Sequence, residues 1–346
     1  MSINKSQLIF SLSFQNFSEI HESLVIVDRK LKNNNLVQNL IKQSPAVYWV
    51  QAGEILKEIN FFPKHISKIL TIVNQLNVRS LHIVAIGGGS VGDFAGFVSS
   101  VLRRGVPLIQ IPSTWLAAID SAHGGKNALN AGDAKNQIGT FHLAKKIIII
   151  KKLLESQPIE RAREASGELI KMAFIDGGSW AKELLRNESE KDSEFLWRYL
   201  RPAITAKNRI VNKDFKEQKG YRRILNLGHT VGHIIESAWK IPHGDAVAIG
   251  LYFALFASYK KGFISLKKYI LLNLLLQKHL KVRNIAKPNK LSKAQFFSRA
   301  IKDKKKINLR EVDFIFLKDF GRPVRQKIEL TDLYKLFLEY RWRDLG

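Results

Sequence analysis

The sequence contains no cysteine among its 346 residues. Disulfide scaffolds and thiolate metal sites are therefore excluded, so any bound metal must be held by His, Asp or Glu. No apolar run approaches the ~18–20 residues that cross a bilayer as a helix. The N-terminal segment 1–15 also lacks a basic stretch followed by a long apolar core. We therefore expect a soluble, cytoplasmic protein.

Acidic residues are scarce. Asp and Glu number 30 against 56 Lys and Arg, which gives a net charge of +26. Such an excess is typical of proteins that bind nucleic acid or membrane surfaces, but it also suits an enzyme with an anionic substrate. The basic residues are spread along the chain, and no zinc-finger, RRM or basic-zipper pattern accompanies them. We expect a small anionic substrate, with neither a membrane nor nucleic acid as the partner.

The pattern of the chain changes near residue 155. Before it, short β-rich runs alternate with helical stretches, which predicts a Rossmann-like α/β domain with a mainly parallel sheet in residues 1–155. The predicted strands are 24–28, 47–51, 81–86, 108–112 and 147–150, with a helix at 66–76. Residues 156–346 show long apolar-periodic helical segments and one short strand at 312–317. This part predicts a second, mostly α-helical domain.

A glycine-rich turn follows the strand predicted at 81–86. Gly87, Gly89 and Gly92 satisfy G-x-G-x-x-G, whose backbone amides can approach a pyrophosphate at a helix N-terminus. An ordinary tight strand–helix turn has the same composition. The acidic residue expected ~20 positions later to hold a ribose is missing. A dinucleotide bound here would need its adenosine end held upstream, by Asp28 or by the turn at 53–57.

Four polar residues follow a helical spacing in an apolar stretch. Arg222, Asn226, His229 and His233 would fall within about 60° of arc if the segment were helical throughout. Such a stripe is costly to bury without partners, and a solvated face would contain more Lys and Glu. The spacing therefore favours a functional cleft.

The same stretch suggests a metal site. The His229–His233 spacing is that of two metal ligands on a helix, although a threonine replaces the catalytic glutamate of zinc proteases. His243 and the upstream Glu168 are further candidate ligands. Glu168 is followed one turn later by Lys171, so a structural ion pair is the alternative. Histidines with a carboxylate would suit zinc or cobalt with a coordination position open to substrate.

A lysine-rich loop contains Asp120, Lys126, Lys135 and Asn136, spaced by small residues. Glycines at 124–125 let the backbone pass close to a ligand, and paired lysines suit phosphate or carboxylate. The alternative is a surface turn with solvated lysines.

In order along the chain, these segments resemble the 3-dehydroquinate synthases, a family of sugar phosphate cyclases. The resemblance runs from about residue 24 to the end. It is carried by the motifs GGGxxGDxAGF, RGVPxxQxPxT, DSxxGGK, KNxIG, LNxGHTxGHxIE and HGxAVAIG.

The resemblance assigns roles by position. It implies that Glu168, His229 and His243 hold Zn²⁺ or Co²⁺ and that His233 faces the substrate, which replaces the pairing of His229 with His233. Arg104 would reach into a neighbouring subunit's site, which implies a homodimer. The residues expected to contact NAD are Asp28, Glu54, Lys57, Gly88, Gly89, Ser90, Asp93, Ser113, Thr114, Asp120, Lys126 and Lys135. Those expected to contact the substrate's phosphate and carboxylate are Lys126, Asn136, Lys171, Lys207, Arg222, Asn226 and a lysine of segment 303–305, taken as Lys304.

The resemblance also implies a reaction. A lyase of the shikimate pathway, which leads to the aromatic amino acids, would convert 3-deoxy-D-arabino-heptulosonate 7-phosphate to 3-dehydroquinate and phosphate. NAD would oxidise a hydroxyl held on the metal, phosphate would be eliminated, the hydride would return, and an intramolecular aldol step would close the carbocycle.

Several positions depart from the family's pattern, including His123, Asn127 and Ala128 around Lys126, and Phe215. Three alternatives to the dehydroquinate reaction stay open. They are another sugar phosphate cyclase, an iron-dependent alcohol or glycerol dehydrogenase, and a non-catalytic basic binding protein. Leu225, Asn226 and His233 match the dehydroquinate enzymes at positions that other cyclases usually alter.

Overall fold

The computed structural model describes residues 5–14, 17–132, 134–187, 193–280, 291–302, 310–340 and 342. The chain divides into two compact units between Arg161 and Ala162. The sequence placed this boundary at 155, six residues earlier. The division falls inside a helix, Ile159–Asp176, so no loop marks it.

The first unit is built on a six-stranded parallel sheet with the strand order β1-β8-β5-β4-β2-β3. Every residue of β2 and β4 is buried, as expected for parallel strands covered on both faces. The predicted α/β fold with a parallel sheet is therefore confirmed. The strands of this unit are β1 (Gln7–Ser11), β2 (Ser23–Asp28), β3 (Ala46–Val50), β4 (His82–Gly87), β5 (Leu108–Pro112), β6 (Lys126–Ala131), β7 (Ala134–Phe141) and β8 (Lys146–Ile150).

The helices of the first unit lie between these strands. They are α1 (Asn35–Ile41), α2 (Phe62–Asn74), α3 (Gly89–Val101) and α4 (Lys151–Glu155). All five strands predicted here are confirmed, and so is the helix at 66–76. The sequence missed β1 and the antiparallel β6–β7 hairpin. The hairpin is polar and largely exposed along β7, so it lacks the apolar run that marks a core strand.

The second unit is mostly helical, as predicted. Its helices are α5 (Ile159–Asp176), α6 (Ser179–Arg186), α7 (Ser193–Lys213), α8 (His229–Trp239), α9 (His243–Lys260), α10 (Leu266–His279), α11 (Lys293–Lys302) and α12 (Leu330–Glu339). The predicted strand at 312–317 is present as β9 (Glu311–Asp319), which pairs antiparallel with β10 (Arg322–Glu329). The sequence missed β10, because five of its eight residues have charged or amide side chains.

An aromatic cluster forms the centre of the second unit. The ring of Phe253, fully buried on α9, lies within 6.4 Å of the rings of Phe314, Phe337, Tyr340 and Trp342, measured between centroids. The cluster thereby ties α9 to β9 and to the C-terminal helix. Among the described residues, no helix combines the length and the apolar character that a bilayer crossing requires.

Candidate metal centre and cofactor loops

Among the described residues of the second unit, Glu168 is the most deeply buried carboxylate. It lies on α5 with 1% of its side chain exposed, and its Oε2 forms an ion pair with Lys171, which is 3% exposed. Its Oε1 accepts no hydrogen bond, although it lies 3.3 Å from His229 Nε2 and 3.8 Å from His243 Nε2. A buried carboxylate oxygen without a donor is costly, so a group that binds all three atoms would stabilise this arrangement.

Close contacts between backbones bring these three side chains together. Helix α8 begins at His229, directly after Gly228, whose φ is +79° and whose missing Cβ would lie 2.9 Å from Leu251 N. Helix α9 begins at His243. A Cβ on the next residue, Gly244, would lie 2.1 Å from the carbonyl oxygen of Glu164 on α5. Only glycine permits such approaches, so the two histidines are held against Glu168 by helix packing.

The second nitrogen of each histidine has its own partner. His229 Nδ1 lies 3.2 Å from the carbonyl oxygen of Leu227, and His243 Nδ1 lies 2.9 Å from Glu236 Oε2. Both partners accept hydrogen bonds, so each Nδ1 can donate to its partner, and with a metal ion bound each Nε2 would be free to act as a ligand. This is the arrangement in which imidazoles bind metal ions in proteins.

The electrostatics of the three groups favour a cation. Burial alone would raise the pKa of Glu168, but the charge of Lys171 and the two neighbouring histidines hold it well below its usual range. Burial and the nearby Lys171 lower the pKa of His229. At His243 the effect of burial is outweighed by Glu168 and Glu236, which raise its pKa to about 10. The cluster therefore carries a carboxylate and a neutral imidazole beside a position that attracts positive charge.

The ligand atoms of Glu168, His229 and His243 all lie within 4.8 Å of one another. One carboxylate and two imidazoles are a donor set that suits zinc or cobalt, with further coordination positions available to water or substrate. The residues present therefore fit a divalent metal ion.

The expectation of one continuous helix through the polar stripe is wrong. Residues Arg222–Asn226 form a 3-10 helix, and the left-handed Gly228 separates it from α8. The stripe is therefore two segments joined at a glycine. Arg222 is buried, with its N–H donating to Asp214 Oδ2 at 3.1 Å and its Nη1 donating to the Phe215 carbonyl at 2.7 Å. Asn226 is exposed.

Phe215 contacts Arg222 through its backbone carbonyl, so this hydrogen bond does not depend on the unusual side chain at that position.

His233 lies one turn after His229 on α8. The two rings are 5.2 Å apart, and the His233 ring is 6.0 Å from that of His243. The ligand atoms of His233 group with those of Glu236 and His243, and not with those of Glu168. Lys207 is buried on α7. Lys304, the remaining candidate of this part of the chain, lies outside the described residues.

A chain of polar contacts joins the candidate cofactor residues of the first unit. Lys57 Nζ lies 2.7 Å from Asp93 Oδ2 and 2.5 Å from Asn136 Oδ1. The Asn136 amide donates to Asn130 Oδ1 at 2.9 Å, and Asn130 Nδ2 donates to Glu54 Oε2 at 2.9 Å. Four residues predicted from the sequence are thus brought together. The sequence missed Asn130 on β6, because a single asparagine carries no spacing signal.

Asp93 has an unusual charge balance. Burial raises its pKa to about 6, against the lowering effect of Lys57, and the nearby carboxylates of Glu54 and Asp120 raise it further. A bound group with positive charge or hydrogen-bond donors would lower it again.

The other candidate cofactor residues follow the ends of neighbouring strands. Asp28 ends β2 and accepts a hydrogen bond from the Lys30 amide at 3.1 Å. Ser90, in the glycine turn at the start of α3, accepts one from the Gly53 amide at 3.0 Å. Thr114 follows β5 and caps the next turn, with its Oγ1 3.0 Å from Ala117 N. The carboxyl ends of parallel strands share one edge, where α/β folds bind their ligands.

Gly88 and Gly89 form that turn, with Gly88 at the N-cap of α3. Ser113 is buried beside them at the end of β5.

The residues around Lys126 that depart from the family pattern shape the β6–β7 hairpin. Asn127 is 2% exposed, and its Nδ2 donates to the carbonyls of Gly125 at 3.1 Å and His142 at 2.9 Å. His123 is also buried, with Nε2 2.8 Å from the Ala118 carbonyl. Lys126 is exposed at the start of β6. The altered side chains support the backbone and leave this lysine accessible.

Lys135 on β7 is exposed as well. Arg104 is exposed in a 3-10 helix with a left-handed φ of +66°.

Two adjacent family models match the chain. Residues 47–164 match the model described as 3-dehydroquinate synthase N-terminal, and residues 165–306 match 3-dehydroquinate synthase C-terminal. The chain is 40% identical over 268 residues to a 3-dehydroquinate synthase of Bacillus pumilus, covering 76% of this chain and 72% of the relative. It is 35% identical over 306 residues to the 3-dehydroquinate synthase of Lysinibacillus sphaericus, covering 85% and 80%.

The fold also matches a solved structure. A crystal structure of 2-deoxy-scyllo-inosose synthase, complexed with carbaglucose-6-phosphate, NAD⁺ and Co²⁺, superimposes with a TM-score of 0.84 and 24% sequence identity, covering 96% of each chain.

Proposed function

This chain belongs to the 3-dehydroquinate synthase family, and we propose that the two sites described above carry out that family's reaction. The chain is an enzyme, a carbon–oxygen lyase, that converts 3-deoxy-D-arabino-heptulosonate 7-phosphate to 3-dehydroquinate and phosphate. The observation that carries the proposal is Glu168 Oε1, buried without a hydrogen-bond donor between two imidazole Nε2 atoms. It supports a metal-assisted reaction in this chain.

We assign Glu168, His229 and His243 as the ligands of a zinc or cobalt ion. When bound, the metal lowers the pKa of a substrate hydroxyl, and NAD accepts a hydride and later returns it. The chain prepares this site in two ways. Lys171 balances the charge of Glu168 within the protein, and Glu236 orients His243 through its Nδ1.

The remaining polar residues of the second unit are assigned to the substrate. Lys207 and Arg222 are buried cations, and a phosphorylated sugar acid carries the negative charges that would pair with them. Asp214 accepts a hydrogen bond from the Arg222 backbone amide and the Phe215 carbonyl accepts one from its guanidinium. Arg222 is therefore positioned in advance, which reduces the entropy lost on binding. His233 is next to the metal ligands without sharing Glu168, so we assign it to proton transfer with the substrate. Asn226 is assigned to a substrate hydroxyl or carboxylate.

In the first unit, the glycine turn is assigned to the NAD pyrophosphate. Gly88 and Gly89 begin α3, where free backbone amides and the helix dipole favour a phosphate. Lys57, Asp93 and Glu54 are assigned to the rest of the cofactor, since one hydrogen-bonded network links them. Asp28, Ser90, Ser113 and Thr114 are assigned to NAD by their place at the ends of β2, β4 and β5. Asp120, Lys126 and Lys135 are assigned to NAD by the family resemblance. Asn136 and Lys126 are also assigned to substrate anions.

Arg104 is assigned to the active site of a second copy of the chain. Its side chain is exposed and its backbone φ of +66° is uncommon outside glycine. Such strain persists where it serves a contact, which supports a homodimer.

A coupled assay tests the function. The protein is incubated with 3-deoxy-D-arabino-heptulosonate 7-phosphate, NAD and either Zn²⁺ or Co²⁺, and phosphate release is followed. We expect metal-dependent release without accumulation of NADH, because the hydride is returned in each turnover. A parallel reaction with glucose 6-phosphate tests for a different sugar phosphate cyclase. Absence of release from the heptulosonate, with either metal and without metal, would contradict the proposal.

A further inference from the structure

The second unit contains a cavity that is lined by none of the candidate site residues. Its volume is about 480 Å³, within the range of pockets that bind small organic molecules. It is formed by the end of α5, one face of α7, the 3-10 helix Arg222–Asn226 and the β9–β10 turn. The lining residues are Ile175, Asp176, Ala206, Arg209, Ile210, Lys213, Tyr221, Ile224, Lys318, Gly321, Arg322, Pro323 and Val324.

The charges of this lining are unbalanced. Four cationic side chains face one carboxylate, that of Asp176. This carboxylate is already engaged, because Arg209 Nη2 lies 2.5 Å from its Oδ1 and Trp180 Nε1 lies 2.6 Å from its Oδ2. Four like charges around one cavity repel one another, and an anion bound among them would relieve that repulsion.

Among the described residues, the other three cations have no carboxylate within ion-pair distance. The pKa of Asp319 is lowered mainly by its hydrogen bond with Lys268 and to a smaller extent by the charge of Arg322. Lys213 Nζ lies 5.1 Å from the centroid of the Tyr221 ring. Neither Lys213, Lys318 nor Arg322 forms an ion pair within the portion of the chain that the structure describes. Their charged groups are therefore available to a ligand.

The remainder of the lining is apolar. Ile175, Ile210, Ile224 and Val324 contribute side chains from four separate elements, and the ring of Tyr221 stands beside them. A simple inorganic anion would leave this apolar surface in contact with water. A ligand with an apolar body in addition to its charge would bury it, at a gain of roughly 25 cal/mol per Å².

We propose that this cavity is a second ligand site, separate from the metal centre, for a small organic anion. The ligand class is a single ring or short apolar body that bears a phosphate or two carboxylates. The cations would bind the charged end, and the isoleucines with Tyr221 would pack on the body.

The site is connected to the metal centre by shared elements. Helix α5 carries Glu168 about two turns and Lys171 about one turn before Ile175. The 3-10 helix that contributes Ile224, with Tyr221 at its N-cap, also contains Arg222. A ligand that orders these elements would therefore influence residues of the proposed catalytic site.

The test uses 4-bromophenyl phosphate with the NAD- and zinc-loaded enzyme. Crystals grown with this probe locate it through the anomalous scattering of bromine. Titration calorimetry then compares the wild type with the double variant Lys318→Met, Arg322→Met, which removes two charges and keeps apolar stems. We expect a bromine peak in the cavity and a calorimetric component that weakens about tenfold or more in the variant, since each lost charged hydrogen bond contributes strongly.

The control is the double variant Lys327→Met, Lys335→Met, which removes two exposed charges of the same unit outside the cavity. It should weaken this component less than twofold. Equal weakening in both variants would show general attraction to a basic protein and overturn the proposal. A bromine peak confined to other positions would do the same, as would a peak in the cavity with no change in solution affinity. The proposed synthase activity stands or falls separately, because no turnover is measured.

Discussion

The two units hold their functional side chains in different ways. In the first unit, the candidate residues lie on several different elements, among them the 3-10 helix Glu54–Lys57, α3 and β7. They are joined by side-chain contacts, such as those of Lys57 with Asp93 and Asn136. In the second unit, Glu168, His229 and His243 lie on helices whose backbones touch, at Gly228 and Gly244 among other positions. The first arrangement depends on side chains and the second on backbone packing.

This difference predicts how each site responds to change. A substitution in the side-chain network should weaken one function by degrees, because neighbouring loops can adjust. A substitution at a helix contact should affect all three metal ligands together, because packed helices transmit a displacement. The largest expected effects therefore lie in the second unit.

The largest effect is expected from Glu168→Ala. We expect stoichiometric zinc to be lost and turnover to fall by about three orders of magnitude or more, since the metal contributes several kcal/mol to the transition state. Leaving Lys171 buried without a partner should also destabilise the protein by about 3–5 kcal/mol. Metal analysis, phosphate release and urea unfolding measure these losses.

The double variant Glu168→Ala, Lys171→Met is the matched control for that ion pair. It should recover stability without recovering zinc. His243→Ala should lose zinc as well, whereas His233→Ala should keep zinc and lose turnover. Retention of zinc in Glu168→Ala would contradict the ligand assignment, and loss of NAD binding in the same variant would contradict the independence of the two sites.

The next effect is expected from Gly250→Ala, which touches no ligand. The new Cβ would lie 2.0 Å from the carbonyl oxygen of Gly228, beside the start of α8. We expect a loss of about 3 kcal/mol or more in unfolding free energy, together with weaker zinc binding, because the backbones must separate. NAD affinity should be unchanged.

Gly262→Ala provides the comparison. Gly262 has a φ of +75° but nothing within 4 Å of its missing Cβ. The substitution Gly262→Ala should lower the unfolding free energy only by the backbone strain, about 1–2 kcal/mol. Zinc affinity should stay at the wild-type value. If the two variants bind zinc equally well, backbone packing does not set the metal geometry.

In the first unit, Lys57→Met should weaken NAD binding by about 10–100-fold. The variant removes the partner of both Asp93 and Asn136, and a lost charged hydrogen bond of this kind is worth about 1.5–3 kcal/mol. Titration of NADH by fluorescence measures the change, with zinc content expected to be normal. The exposed Lys64→Met serves as the charge control and should bind NADH as the wild type does. A loss of zinc in Lys57→Met would mean that the two sites are not held separately.

The smallest effect concerns the pH dependence of stability. The pKa of Asp93 is raised to about 6 from an ordinary 3.8, so the folded state binds this proton more tightly than the unfolded state does. Stability contributed by the protonated carboxyl is therefore lost as the pH rises from about 4 to 6. The difference in unfolding free energy between wild type and Asp93→Asn should fall by about 2 kcal/mol over this range. Urea unfolding at pH 4 and pH 7 measures it, and an increase would contradict the raised pKa.

The elements of the fold were predicted where the local pattern is strong. The strands ending at Asp28, Gly87 and Pro112 are apolar and bounded by turn residues, and the structure has them within one residue of the prediction. The sequence missed β10 and the β6–β7 hairpin, because polar strands resemble loops when read without their partners.

The candidate site was predicted less evenly. The three metal candidates were found by spacing and by family resemblance, but the single helix drawn through Arg222 and His233 was wrong. Gly228 in the left-handed region ends that helix, and glycine has no obligatory conformation that a sequence would reveal. Glu236 and Asn130, which support His243 and Asn136, were not predicted at all. Their roles depend on hydrogen bonds between segments distant in sequence.

The amino-acid sequence by itself determined the parallel sheet, the helical second half, the glycine turn and the supply of His, Glu and Lys side chains. These follow from periodicity and residue type, which act over short stretches of chain. The family resemblance predicted that His229 and His243 share Glu168, whereas the spacing alone paired His229 with His233. Only the tertiary structure shows what brings the three side chains together, namely the close approach of α5, α8 and α9 at their glycines. The tertiary structure alone also brought Lys213, Lys318 and Arg322 together around the cavity of the second unit, because these residues come from elements far apart in the chain.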